Sequence, residues 1–436
     1  MSKIIPAGPR SGLFPVPSSK SQLHRLLILA ALGTEPVFIR KQDASADVSA
    51  TAACLTALGA PVTETETGFQ VTPFPRDAAG HLAPPSDGYL KVLYCRESGT
   101  TLRFMMALAG LLNLPVCLIR EGSLTTRPLF PFDEALRAHG LRVEEKGTNV
   151  YVSGQLQPGT WQLPGNVSSQ FISALLLTLP FLDRDSALRV GSPVESAAYL
   201  DMTEQALGMA GMRVDKASMA HQEAGAMSWD TLYWIPGRQE ARLPQKLQAE
   251  GDFSAAAFFL CMGALSEKGM AVTGLSPSSR QGDMAILDLI QQLGADIGAT
   301  PEVIAVRKGP MQGITVDAAQ VPDLVPPLAM LAATANGESR FINGSRLRDK
   351  ESDRLTGTLH MLQALGISAR VEGDTLLVTG GKIRGGQVET LGDHRLAMAA
   401  AVAACGASED VIIDHEDCVA KSFAGFWEAF LTLSRE

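Results

Sequence analysis

No apolar run in the 436-residue chain reaches the roughly 20 residues that a bilayer crossing requires, so a spanning helix is excluded. The stretch Met1-Ser2-Lys3-Ile4-Ile5-Pro6-Ala7-Gly8-Pro9 contains no hydrophobic region of the signal-peptide kind. The six cysteines, at 54, 95, 117, 261, 405 and 418, form no CxxC pair and have no histidine placed as a co-ligand. A zinc site and a disulfide framework are thereby excluded, and the thiols read as buried and reduced in a cytoplasmic, soluble protein. Positive charge is also short: Lys+Arg is 37 against Asp+Glu 46, a net charge of −9 and a pI near 5.4. An overall field of that sign repels nucleic acid and anionic membranes, so neither is expected as a partner. Low-complexity segments are absent.

Charge as a whole is sparse, at 19% of residues, yet six of the seven residues Arg348-Asp349-Lys350-Glu351-Ser352-Asp353-Arg354 are charged. The stripe Leu355, Leu359, Leu362 and Leu365, closed by Gly366, predicts a helix behind them, with Asp349 or Ser352 as its cap. Acids suit a helix N-terminus. Lys350 and Arg354 oppose it by roughly 0.3–1 kcal/mol each unless an anion joins them. Taken alone, the stretch also fits a solvated first turn with internal ion pairs. The pattern recurs, however. Ser18-Ser19 precedes Lys20, Ser98-Gly99-Thr100-Thr101 precedes Arg103, and Gly392-Asp393 precedes His394-Arg395. Unpaired helix N–H groups, hydroxyls and a cation together make an anion site. Ser168-Ser169-Gln170 opens a further helix, and Gly251-Asp252 and Gly282-Asp283 read as plain caps.

Helical segments end at Gly59, Gly140, Gly211, Gly294 and Gly366, at intervals of 81, 71, 83 and 72 residues, and strand-like runs follow each. The spacing predicts a reused α/β unit of 70–80 residues, with a sixth copy lacking the glycine at the C-terminus. Crossings between domains are expected at Pro15-Val16-Pro17-Ser18-Ser19 and within 236–252. One domain would then comprise 1–19 with 241–436, and the other 20–240, with the active site in the cleft between them.

In order along the chain, Pro17-Ser18-Ser19-Lys20-Ser21 with Arg25, Ser98-Gly99-Thr100 with Arg103, Thr126-Arg127-Pro128, Ser168-Ser169-Gln170, Pro322-Asp323, Lys350-Glu351 with Asp353-Arg354, Asp393-His394-Arg395 and Ala420-Lys421 with Phe423 resemble the EPSP synthases, 3-phosphoshikimate 1-carboxyvinyltransferases. Each motif alone is weak, but the ordered set covers nearly the whole chain. The resemblance implies a two-domain, inside-out α/β barrel of six βαβαββ units. It also implies enolpyruvyl transfer from phosphoenolpyruvate to the 5-hydroxyl of shikimate 3-phosphate, in the pathway to chorismate and the aromatic amino acids. No metal or organic cofactor is implied. The enzyme would be a monomer and a target of glyphosate.

The same resemblance assigns Lys20, Gly99, Arg127, Gln170, Arg354, Arg395 and Lys421 to phosphoenolpyruvate. Lys20, Ser21, Arg25, Ser168, Ser169, Gln170, Ser196, Asp323 and Lys350 go to shikimate 3-phosphate. Asp323 would be the base for the hydroxyl, Glu351 the group handling the methylene proton, and Lys20 and His394 their catalytic support. Read singly, Arg127 also fits a turn before Pro128, Ser196 a loop cap and His394 a packing histidine. Glu97, Phe104 and Ala197-Ala198 depart from the family pattern. Two rivals are the sister enzyme acting on UDP-N-acetylglucosamine and a non-catalytic module that binds phosphorylated metabolites. The sister enzyme's reactive cysteine would fall at Gly122, whereas Cys117 sits in an apolar run.

Overall fold

The computed structural model describes residues 2–85, 88–223 and 226–436, with the backbone alone at 221–223 and 226. It forms two compact units. One comprises Met1–Ser19, Asp43–Ala46 and Glu250–Glu436, the other Lys20–Gln42 and Asp47–Ala249.

One strand order recurs in five sheets among the described residues, and a sixth, three-stranded sheet keeps three of its positions. In the sheet of Lys91–Arg96, Val116–Arg120, Leu141–Lys146 and Asn149–Gly154, the first two strands run parallel. The fourth then pairs antiparallel with both the second and the third. A helix, Gly99–Leu111, leads into the second strand, as a parallel connection requires. The sheets starting at Thr160–Pro164 and at Thr315–Asp317 repeat that order without interruption.

The other three copies are completed by distant pieces of chain. Lys246–Gln248 pairs parallel with Val37–Arg40, and Arg10–Pro15 with Met270–Thr273. Lys3–Ile5 lies antiparallel to Val411–Ile413 in the C-terminal copy. Residues 241–249, expected with the C-terminal half, belong instead to the unit of residue 20, because Lys246–Gln248 is the edge strand of its first sheet. The five repeat glycines all adopt left-handed φ, from +71° at Gly211 to +108° at Gly294, where a side chain would be strained.

Apolar residues run all round three helices of the first unit, Phe253–Gly263, Val325–Ala332 and His394–Gly406, which is the pattern of a buried helix. They pack on one another at the centre of that unit. In the second unit Gly99–Leu111 packs on Ser169–Thr178, which also meets Lys20–Ala31. Each of these six helices leads into the second strand of its own sheet.

Candidate active site

Each unit holds its own polar cluster. In the first, Asp252 and Asp393 cap the helices beginning at Phe253 and His394, accepting from Ala255 N at 3.0 Å and Arg395 N at 2.9 Å. Asp323 lies two residues before the helix Val325–Ala332, whose first turn carries Pro326 and Pro327. Three carboxylates therefore stand at three positive helix ends.

Arg354, only 1% exposed, crosses this group. It is bidentate on Asp393, with Nε at 2.8 Å and Nη2 at 3.2 Å, and it donates to Asp323 Oδ1 at 2.7 Å and Glu351 Oε2 at 2.6 Å. The second oxygen of Asp323 is 3.1 Å from Arg395 Nη2. Burial alone would raise the Asp323 carboxyl, but Arg395, Lys350 and Arg354 hold it well below the usual carboxylate range. Burial draws Lys350 down to about 8 against the pull of Asp323. For Arg354 burial is outweighed by Asp393, Glu351 and Asp323, which keep the guanidinium charged. His394 is buried with Nδ1 3.7 Å from Asp393 Oδ1. Lys421 ends the short turn Glu416–Lys421, packed on the His394–Gly406 helix.

The cap of the Arg354–Ala364 helix corrects the expectation. It is Asp353, which accepts from Thr356 N at 3.0 Å, because its backbone is the last before the helix to stay out of the helical region. Asp349 closes a preceding short turn, and the Ser352 hydroxyl donates to Asp393 instead, at 3.0 Å. Lys350 sits four residues before Arg354 in extended backbone. Its handicap is therefore desolvation rather than the helix dipole.

In the second unit Lys20 opens its helix and pairs with Asp47 at 3.2 Å. The Gly99–Leu111 helix is capped by Ser98, whose side chain accepts from Thr101 N at 3.2 Å. A Cβ on Gly99 would come within 2.6 Å of Arg103 Nη1 and 2.8 Å of Arg127 Nη1, so two guanidinium groups lie over this helix start only because the residue is glycine. Gln170 joins them to the next helix start: it accepts from Arg103 at 2.5 Å and donates to Thr100 Oγ1 at 2.9 Å. Ser168 caps that helix, and Ser169 is its first residue. Ser196 is buried in left-handed backbone at φ +54°, and its hydroxyl has no partner among the described residues.

Arg25, like Arg354, spends most of its donors on protein groups. It donates to Thr203 Oγ1, the Ser21 carbonyl, Ser173 Oγ and the Tyr199 carbonyl at 2.7–3.2 Å, leaving one of its five N–H groups. Its guanidinium also faces the Phe104 ring at 5.7 Å, which gives that departure from the family pattern a structural role. Glu97 packs against Gly122, in left-handed backbone at φ +49°, where a Cβ would sit 2.4 Å from the carboxylate. Ala197 precedes the helix Ala198–Met209 without a side-chain cap.

Four polar residues had no assigned role in the sequence-based site. Asp47 and Asp393 act as partners of cations, and Arg103 as a third guanidinium. Asp283 is a buried carboxyl that accepts from the Ser254 hydroxyl, and burial, then Asp323, pushes it up to about 7. Nothing in the Gly282-Asp283 pair distinguishes that role from capping. Among the described residues no group of three or more His, Cys, Asp or Glu is placed to hold a metal ion, and no helix is long and apolar enough to cross a membrane.

Residues 6–430 match the family model for EPSP synthase (3-phosphoshikimate 1-carboxyvinyltransferase). The chain belongs to the EPSP synthase family. Relatives named 3-phosphoshikimate 1-carboxyvinyltransferase include that of Clostridium kluyveri, 34% identical over 98% of this chain and 95% of the relative. That of Clostridium acetobutylicum is 36% identical over 95% and 93%. A solved EPSP synthase from Acinetobacter baumannii superposes with a TM-score of 0.77 at 25% identity, covering 100% of this chain and 99% of that one. The enolpyruvyl transferase NikO of Streptomyces tendae, at 18% identity and a TM-score of 0.73, shares the fold. This EPSP synthase family member thus has a mixed α/β, two-domain fold in common with both.

Proposed function

We infer that the protein transfers the enolpyruvyl group of phosphoenolpyruvate to the 5-hydroxyl of shikimate 3-phosphate, the step of the shikimate pathway that its family name denotes. Family membership over residues 6–430 is the observation that carries this reading. Each substrate bears a phosphate and a carboxylate, and the two cation clusters suit four such groups in a protein of net charge −9. We assign Lys20, Ser21, Arg25, Ser168, Ser169, Gln170, Ser196, Asp323 and Lys350 to shikimate 3-phosphate. Lys20, Gly99, Arg127, Gln170, Arg354, Arg395 and Lys421 go to phosphoenolpyruvate.

In the reaction, the substrate's 5-oxygen bonds to C2 of phosphoenolpyruvate as its proton leaves and C3 gains one. The C2–O bond to phosphate then breaks as a methyl proton is lost. Asp323 is the base for the hydroxyl and Glu351 serves the C3 proton, with Lys20 and His394 in support. Ionised Asp323 is a weak base while Arg395, Lys350 and Arg354 surround it. Substrate anions that draw those cations away would raise its basicity. The protein acts as a monomer in the cytoplasm, where its six free cysteines remain reduced. Phosphate release from phosphoenolpyruvate should require shikimate 3-phosphate and should not occur with UDP-N-acetylglucosamine. The reverse dependence would move the chain to the sister activity.

Two outcomes follow for binding. Anions bind the charged form of Lys350, whose pKa is lowered to about 8. Affinity for shikimate 3-phosphate should therefore be full below that pH and fall as pH rises through it, by calorimetry. A flat affinity up to about pH 10, near the ordinary lysine value, would contradict the assignment. In Gly99→Ala the new methyl displaces the Arg103 and Arg127 guanidinium groups. It should raise KM for phosphoenolpyruvate and weaken competition by glyphosate still further. Equal losses for both would contradict that subsite.

A further inference from the structure

We propose that His24 is a positioning residue that sets Lys20 through a buried relay of hydroxyl groups; its part in the transfer reaction rests on the function proposed above. The imidazole lies one turn into the Lys20–Ala31 helix and is wholly buried. Its Nδ1 is 2.8 Å from Thr51 Oγ1, which is 2.7 Å from Thr101 Oγ1. The Thr101 hydroxyl reaches the Asp47 carbonyl at 3.2 Å and Ser98 Oγ at 2.7 Å. Thr51, Thr101 and Ser98 are each fully buried. The Asp47 carboxylate in turn holds Lys20 Nζ at 3.2 Å. One relay thus ties together three helices, Lys20–Ala31, Ala46–Leu58 and Gly99–Leu111, through residues that all lie in one unit.

The chemistry of the ends gives the relay a direction. The one Thr101 hydroxyl proton goes to Asp47 O or to Ser98 Oγ, so Thr51 donates to Thr101 and His24 Nδ1–H donates to Thr51. Nε2 has no partner among the described residues. In this tautomer it keeps a bare lone pair, whereas the other tautomer would leave a buried N–H without a partner, the rarer state in folded proteins. Protonation would do the same and add a charge beside Lys20 and Arg25. Burial first, then those two cations, keeps the ring neutral, with a pKa well below 6.5. His24 is therefore a fixed donor rather than a titrating group. The Lys20 side chain is long and flexible, and its ammonium is placed by Asp47. Asp47 is placed by the Thr101 bond, and the Thr101 hydroxyl is aimed by Thr51 and His24.

The test breaks the relay at its middle, away from any substrate. Thr51→Val keeps the shape and removes the hydroxyl. KM for phosphoenolpyruvate should rise on the order of tenfold, less than the ~10²-fold cost of misplacing a group by 1 Å, with the far-UV spectrum unchanged. Thr51→Ser should restore it. In a Lys20→Met background Thr51→Val should cost nothing further, because the relay acts through that ammonium. The same loss in both backgrounds, or no rescue by serine, would overturn the proposal. Nitrogen-15 NMR of the imidazole provides a readout independent of turnover. The ring should be the Nδ1–H tautomer and should not titrate between about pH 5 and 8. An Nε2–H tautomer, or titration near 6.5, would overturn the relay. Loss of wild-type turnover with both substrates would instead remove the proposed function, leaving the NMR result to decide the relay.

Discussion

Arg354→Ala is expected to lower the unfolding free energy by about 3–5 kcal/mol, the cost of removing one partner from a buried ion pair. That is a large part of the roughly 5–15 kcal/mol that holds a domain folded. The guanidinium is 1% exposed and is the common partner of Asp323, Glu351 and Asp393. Without it, three carboxylates face one another with less compensating charge. Their pKa values in the variant should rise above the unfolded values near 4. A raised acid binds more protons in the folded state, so the variant should lose stability as pH rises through the carboxylate range and recover part of it as pH falls. Denaturant titrations of both proteins at about pH 5 and pH 8 would show the gap between them widening with pH. Arg354→Lys should recover little, because one ammonium cannot reproduce the bidentate contact with Asp393 while also reaching Asp323. A loss under about 1 kcal/mol, the scale of an exposed pair, would mean that water screens the cluster.

Asp323→Ala should lower turnover by about 10²–10⁴, the usual contribution of a positioned base. Binding of shikimate 3-phosphate should remain measurable by calorimetry, since the other assigned contacts are untouched. In the wild type, kcat/KM reports the free enzyme. Asp323 is held well below the usual carboxylate range there, so it should set no acid limb above about pH 4. Retention of more than about a tenth of wild-type turnover, outside that range, would remove Asp323 from the role of base.

Local signals carried much of the fold. The leucine stripe from Leu355 predicted a helix ending before Gly366, and the helix runs Arg354–Ala364 with that glycine at φ +82°. The five glycines marked a repeat that the sheets reproduce, because a left-handed turn after a helix is a backbone demand that glycine meets in any context. Pairings across long sequence separations left no such trace. Lys246–Gln248 is a three-residue edge strand whose partner lies some 200 residues earlier, and no periodicity extends over three residues. The segment Asp43–Ala46 joins the first unit without any change in composition.

At the site, the cations stood out because they oppose helix starts, but their counter-ions did not. Asp393 looks like a cap and is one, yet the same carboxylate also holds Arg354 from 39 residues away. Asp353 lies inside the charged run with nothing to mark it as the cap, since which acid follows the chain into the helix depends on backbone angles that composition does not set. Arg25 is also held by Thr203, Ser173 and two carbonyls, partners that no local pattern announces.

The most direct measurement of the proposed chemistry is the proton NMR spectrum of the wild-type protein incubated with phosphoenolpyruvate and shikimate 3-phosphate. Two vinyl resonances of an enol ether on the 5-oxygen should grow in step with free phosphate. Phosphate appearing with pyruvate and no enol ether, or no change in either substrate, would contradict enolpyruvyl transfer by this chain.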